Sequence, residues 1–200
     1  MSATASEPLY TLDGGRLAPS GHTRGPWDDA HQHGGPPAAL VARAVEGEVG
    51  DGFTVTRLTL ELLRPVPIAP LAVRARVTRP GRRVVGVDVE VAAGEQPVVR
   101  AQAQAVRRAD LPVGADRRPD DDGGDGGDGR AGDGVGMPGR EAGVVLPFVA
   151  DLVRGDDLPA FHRTGMEVLT VAGGFDRPGP ARAWFRLRRP VVGGEEPTGL

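Results

Sequence analysis

Apolar positions along the chain keep two different rhythms. In residues 36–46, Leu40, Val41, Ala44 and Val45 recur at helical spacing and form one apolar stripe. Pro36 and Pro37 open this segment, where a missing N–H costs a helix little, and Gly47 offers a stop. The spacing therefore predicts a helix over 36–46, rich in small residues. Four runs of a shorter rhythm follow. Residues 53–63 are dense in β-branched and apolar side chains, and Arg64-Pro65-Val66-Pro67 ends or bulges that strand. In 71–79, Leu71, Val73, Ala75 and Val77 alternate with Ala72, Arg74, Arg76 and Thr78, which predicts a strand with one wet face. Residues 83–92 repeat the alternation with Val85, Val87, Val89 and Val91 after a Pro80-Gly81 turn. Residues 98–108 close the set, beyond a turn at Ala93 to Pro97. One helix followed by an antiparallel meander is an α+β pattern, in which a curved sheet wraps the helix.

From Asp110 to about Gly143 both rhythms stop. Asp120 to Gly129 is almost entirely Asp and Gly, which bury no apolar surface to offset the entropy of ordering, so a disordered linker is expected over 110–143. Patterning resumes near Val144. A short helix is expected within Leu146 to Val153, and strands at 165–172 and 181–189, separated by Gly173-Gly174 and Pro178-Gly179-Pro180. The predicted organisation is a domain at 1–109, the linker at 110–143, and a further segment at 144–200 too short to repeat the first.

Composition narrows the chemistry. The chain has 200 residues, a net charge of -3 and no cysteine, so disulfides and thiolate metal sites are excluded. Its charge balance gives no reason to expect nucleic acid as a partner. No apolar run approaches the roughly 18 residues of a membrane span, and Met1 to Leu9 lack the pattern of a signal peptide, so a cytoplasmic location and no membrane partner are expected. The Gly-Asp stretch at 123–129 lacks the apolar position and fixed period of a calcium-binding repeat. Gly132-x-Gly134-x-Gly136 follows no strand and opens no helix, so it is not read as a dinucleotide site. No Gly-x-Ser-x-Gly elbow exists. His22, His31 and His33 lack the carboxylate or cysteine spacing of a zinc site, so no metal and no cofactor are expected. The arginines at 74, 76, 82, 83, 107 and 108 read as solvated strand faces, although some would suit the phosphates of a coenzyme A.

The most informative segment is Gly25-Pro26-Trp27-Asp28-Asp29-Ala30-His31-Gln32-His33-Gly34-Gly35-Pro36-Pro37. A Gly-Gly step ahead of a helix leaves backbone N–H groups at the positive end of the helix dipole, and without side chains a ligand can approach them closely. An oxyanion forming on a thioester carbonyl would be stabilised there. The plainer alternative is that Gly34-Gly35 only turns the chain into the helix.

Arg24-Gly25-Pro26-Trp27, Gln32 to Leu40, Leu62-Leu63-Arg64-Pro65-Val66-Pro67 and Arg79-Pro80-Gly81-Arg82-Arg83 together resemble the acyl-CoA thioesterase II type, a double-hotdog family of the thioesterase-like superfamily. Phe161 to Glu167 and Ala183-Trp184-Phe185-Arg186-Leu187 resemble the first strands of that family's second hotdog. The resemblance implies an α+β hotdog fold with the second hotdog incomplete, acyl-CoA as substrate or ligand, and hydrolysis to free acid and CoA. It also implies association through hotdog sheets as a homo-oligomer. Gln32, His33, Gly34 and Gly35 are the candidate substrate-binding residues. The family's catalytic Asp, near the second hotdog's helix, matches no residue here, so the catalytic residue is unknown; Asp28 and Asp29 do not match the family's pattern for it. A hotdog that binds an acyl thioester, or only a partner, without turnover is the alternative.

Overall fold

The structure, a computed structural model, describes residues 7–109, 158–173 and 178–195. The expected linker at 110–143 and the expected helix within Leu146 to Val153 lie outside the described residues. Among the described residues, eight strands and one long helix run in the order β1 (Tyr10–Asp13), β2 (Arg16–Pro19), α1 (Gly35–Val49), β3 (Phe53–Leu62), β4 (Leu71–Arg79), β5 (Val84–Ala93), β6 (Gln96–Arg107), β7 (Met166–Ala172) and β8 (Arg182–Leu187). The first six strands form one antiparallel sheet in the order β1-β2-β4-β5-β6-β3, and β7 and β8 pair as a separate two-stranded ribbon.

Period-two patterning decides which face of the large sheet is dry. Val85, Val87, Val89 and Val91 of β5 and Val99, Ala101, Ala103 and Ala105 of β6 are buried, with Asp88, Glu90, Arg100 and Gln102 between them on the wetter face. Leu40, Val41 and Val45 of α1 pack into the same core. Each fully buried Val or Leu contributes about 1.5–3 kcal/mol relative to its exposed state. This is the expected α+β hotdog arrangement: one helix against the concave face of an antiparallel sheet.

Most boundaries lie within one or two residues of the expected ones, and three departures have a physical reason. First, α1 runs through Gly47 to Val49 and stops at Gly50, whose N–H bonds the Glu46 carbonyl and whose φ of 72° suits glycine. Gly47 is exposed and simply sits inside the helix. Second, β6 begins at Gln96, so the β5–β6 turn is shorter than expected. Pro97 is tolerated because β3 pairing ends at Leu62↔Val99, and the β5–β6 register slips beside it at Val91/Ala92. Third, β3 carries a bulge between Val55 and Arg57. Phe53 and Val55 face inward before it and Leu58 and Leu60 after it, so the extra residue shifts the apolar phase by one.

The β1–β2 hairpin was not anticipated. Gly14 and Gly15 form its two-residue turn with φ of 53° and 77°, the combination a tight primed turn needs. The hairpin buries Tyr10 and Leu17 and pairs with β4 at Leu17↔Leu71. It also anchors the C-terminal segment. Leu9 and Tyr10 donate N–H bonds to the carbonyls of Pro190 and Val191, and Gly193 returns one to Tyr10. Among the described residues no helix is long and apolar enough to cross a membrane.

Candidate functional site

The chain approaches α1 through a narrow fold-back. Arg24 and Gln32 pair as an antiparallel bridge, Gly25 donates to the His31 carbonyl at 2.9 Å, and His33 donates to the Thr23 carbonyl at 2.8 Å. Gln32 and Ala30 tie this fold-back to the loop after β3: the Gln32 N–H reaches the Val66 carbonyl at 2.8 Å, and Ile68 donates to Ala30 at 2.9 Å. Trp27 lies at the tip, exposed.

Gln32 is buried, and both ends of its amide are engaged. Its Oε1 accepts from the Tyr10 hydroxyl at 2.5 Å and its Nε2 donates to the Pro67 carbonyl at 2.7 Å. In this arrangement Gln32 holds β1 against the loop at 66–68. Burial pushes the Tyr10 phenol well above its ordinary range, so it remains the protonated donor.

Gly34 and Gly35 stand where the helix begins. The first turn of α1 has few N–H groups to offer, because Pro36 and Pro37 have none and Ala38 already donates to the Gly34 carbonyl. The Gly35 N–H remains, and it donates to Nδ1 of His33 at 3.1 Å. Because Nδ1 accepts, the neutral His33 ring carries its proton on Nε2, and burial lowers its pKa from the ordinary 6.5, favouring that neutral ring. The donor expected to be open to a ligand is thus satisfied internally in this structure.

Phe161, which the sequence pattern did not single out as a site residue, covers this point. Its ring centroid is 5.1 Å from that of His33, tilted by 33°. A Cβ added to Gly35 would lie 2.6 Å from Phe161 Cε1, so only glycine admits the ring at this position. A single π-type turn, Phe161–Gly165, presents the ring. The Phe161 N–H bonds the Arg24 carbonyl at 3.0 Å, and the Thr164 hydroxyl meets His22 Nδ1 at 2.7 Å. On its other nitrogen His22 meets Glu7 at 3.1 Å, and Arg189 donates to the Thr164 and Glu7 carbonyls. At the far end of the segment Arg43 of α1 donates from Nε to Glu195 at 2.6 Å.

The remaining candidates are dispersed. Asp28 accepts from the Ala30 N–H and meets His31 at 3.0 Å, so His31 and His33 have different partners. Among the described residues no group of three metal-ligating side chains comes together. A cleft of about 760 Å³ lies on the opposite, wetter face of the sheet, lined by Arg74, Arg76, Asp88, Glu90 and Arg100. Its charges are mutually paired, Arg76 with Asp88 and Arg100 with Glu90, which makes it a poorer anion site than its arginines alone suggest.

Comparison with known proteins bears on the same segment. Residues 23–106 match the family model described as the acyl-CoA thioesterase N-terminal domain, a span that runs from the fold-back through β6. No curated protein matches the chain. Solved structures similar to it include a Bacillus halodurans protein crystallised with CoA, at 19% identity, covering 46% of this chain and 68% of that one with a TM-score of 0.40. A protein of the phenylacetic acid degradation operon of E. coli has 19% identity, coverage of 47% and 70%, and a TM-score of 0.41. A phenylacetic acid degradation-related protein of Ralstonia eutropha has 26% identity, coverage of 48% and 80%, and a TM-score of 0.40. These likenesses are distant, and the family model is the finding that bears on function: it supports, for the segment 23–106, a place in the thioesterase superfamily.

Proposed function

We propose that this protein is an acyl-CoA thioesterase-like protein that receives the thioester of an acyl-CoA at the start of α1 and hydrolyses it to free acid and CoA. The observation that carries this reading is the match of residues 23–106 to the acyl-CoA thioesterase N-terminal domain, which includes Gln32, His33, Gly34 and Gly35. In the reaction, water adds to the thioester carbonyl carbon and gives up a proton, and the carbon–sulfur bond breaks to release CoA. A negative charge develops on the carbonyl oxygen. The Gly35 N–H, at the positive end of a 15-residue helix, is suited to stabilise it once His33 yields the donor. The base that activates the water is not assigned to any residue. The acyl-CoA thioesterase II type, a cytoplasmic location and association of copies through their sheets belong to this proposal.

A second reading has a specific observation in its favour. The Gly35 N–H is satisfied by His33 and roofed by Phe161, as suits a hotdog that binds acyl-CoA, or only a partner, without turnover. Thiol release from decanoyl-CoA, together with calorimetric titration, separates the two. Both readings expect Gly35→Val to weaken binding by about tenfold or more, ~1.4 kcal/mol, while Arg76→Ala leaves it nearly unchanged. Because a valine would also push the Phe161 ring aside, Phe161→Ala is the control, and it should bind at least as well as the natural protein. Thiol release supports hydrolysis, and binding without release supports the second reading. Equal affinity of the Gly35 and Arg76 variants, both folded, would remove the α1 start from either.

A further inference from the structure

We infer that the wetter face of the large sheet, across β4, β5, β6 and β3, is a docking surface for a second copy of this chain, related by a two-fold axis that lies along the strands between β5 and β6. Cross-strand register sets the side chains of this face in rows. Arg74, Glu90, Arg100 and Glu61 stand side by side in one row, and Arg76, Asp88, Gln102 and Thr59 in the next. The sign of the charge alternates from each strand to its neighbour: Arg74 and Arg76 on β4, Asp88 and Glu90 on β5, Arg100 on β6 and Glu61 on β3. α1 packs on the opposite face, and Arg74, Arg76, Arg100 and Glu61 are exposed.

An even number of alternating stripes is complementary to its own reversed copy. With the axis along the strands, the strand order of one sheet runs backwards over the other. Arg74 then faces the second copy's Glu61 and Glu90 faces its Arg100, and the two-fold repeats both contacts. With the axis across the strands, β4 would lie on β4 and β5 on β5, setting like charges against one another. The pattern therefore selects aligned sheets, which pack about 10 Å apart, a gap that arginine and glutamate side chains can bridge. Within one copy the pairs are loose, 3.6 Å from Arg76 to Asp88 and 3.7 Å from Arg100 to Glu90, both longer than a hydrogen bond. A facing carboxylate can therefore still gain short, charge-assisted bonds from these guanidiniums. A single anion gains little among charges balanced in this way, whereas the reversed pattern meets an opposite charge in every stripe. The cleft of about 760 Å³ on this face leaves room for the second copy's arginines.

The inference rests on the proposed association of copies through their sheets and names the face that carries it. Sedimentation velocity over a concentration series of the full 200-residue chain tests it, with thermal melts to verify that each variant folds. The natural protein should sediment as an assembly of an even number of copies. Raising the salt from about 0.1 M to about 1 M shortens the screening length from about 10 Å to about 3 Å and should halve the mass of that assembly. Arg74→Glu alone and Glu61→Arg alone should each halve it at low salt. Mixed in equal amounts, the two variants should restore it, since each supplies the charge that the other lacks. A monomeric natural protein overturns both this inference and the association on which it rests. An assembly that neither reversal disturbs leaves the association standing and removes it from this face. Reversals that dissociate the assembly without recovery on mixing overturn the stripe-on-stripe arrangement. Should either reversal fail to fold, Arg74→Gln and Glu61→Gln take their place, each expected to shift the assembly toward half mass, and no shift overturns the inference. Thiol release from decanoyl-CoA has no part in these outcomes, so the hydrolytic reading stands or falls separately.

Discussion

The strands of the large sheet and the two strands of the C-terminal ribbon are written in similar apolar language, yet they are stabilised in different ways. In β5 every second residue is buried beneath α1, and Val91 has no exposure at all. In β8 five of six residues are exposed, including Trp184 and Phe185, and in β7 Val171 is exposed as well. Among the described residues the ribbon has no long helix of its own. It is held at its ends instead: by Phe161 over Gly35, by Thr164 on His22, by Pro190 and Val191 along β1, and by Glu195 on Arg43. A strand pattern therefore specifies a strand, while the partner that covers it decides how much stability that strand contributes.

The contrast is most easily broken by truncating one side chain from each region. Leu40→Ala, at 1% exposure in α1, should cost about 2–5 kcal/mol in urea denaturation. Phe185→Ser, at 57% exposure in β8, should stay within about 0.5 kcal/mol of the natural protein. A comparable loss from both would mean that the ribbon has a covered apolar face after all.

A pH titration probes the seam between the regions. Burial lowers the pKa of His33, so the folded state prefers the neutral ring while the unfolded chain takes up a proton near 6.5. Stability should be at its full value above pH 6.5 and decline as pH falls below it toward the depressed folded pKa. Protonation would also turn His33 Nδ1 from acceptor to donor, ending its bond from Gly35. Thermal melts from pH 7.5 to 5 should show this decline, and His33→Asn should reduce it. An unchanged slope in that variant would place the sensitivity elsewhere.

The smallest effect is expected at the rim. Arg43→Gln removes a partly exposed pair with Glu195 and should cost about 0.2–1 kcal/mol at low salt, less as salt rises. A salt-independent loss of several kcal/mol would show that the far end of the segment is held more tightly than its exposure implies.

Much of the large sheet was legible because β4, β5 and β6 alternate over nine to twelve residues, long enough for period two to stand out. The bulge in β3 leaves a signal in the sequence, a slip of apolar phase from Phe53 and Val55 to Leu58 and Leu60, but the expectation over 53–63 was a single strand without it. The β1–β2 hairpin was missed because its strands have only four residues each. Its signal was the Asp13-Gly14-Gly15-Arg16 turn. At the candidate site, the Gly-Gly step and its place before the helix followed from local sequence. What meets it did not. Phe161 reaches Gly35 across more than a hundred residues, and Tyr10 finds Gln32 across 22, and no periodicity encodes such contacts.

The pairing of Leu9 and Tyr10 with Pro190, Val191 and Gly193 has a mechanical consequence. Tyr10 and Val192 run parallel, so tension applied at residue 7 and residue 195 pulls the two strands lengthwise past one another. Three backbone bonds, at 2.9, 2.9 and 3.0 Å, then bear the load together, where an antiparallel pair pulled from its open end would unzip one bond at a time. The junction that ties the last described residues to the first should therefore resist stretching more strongly than its small size suggests.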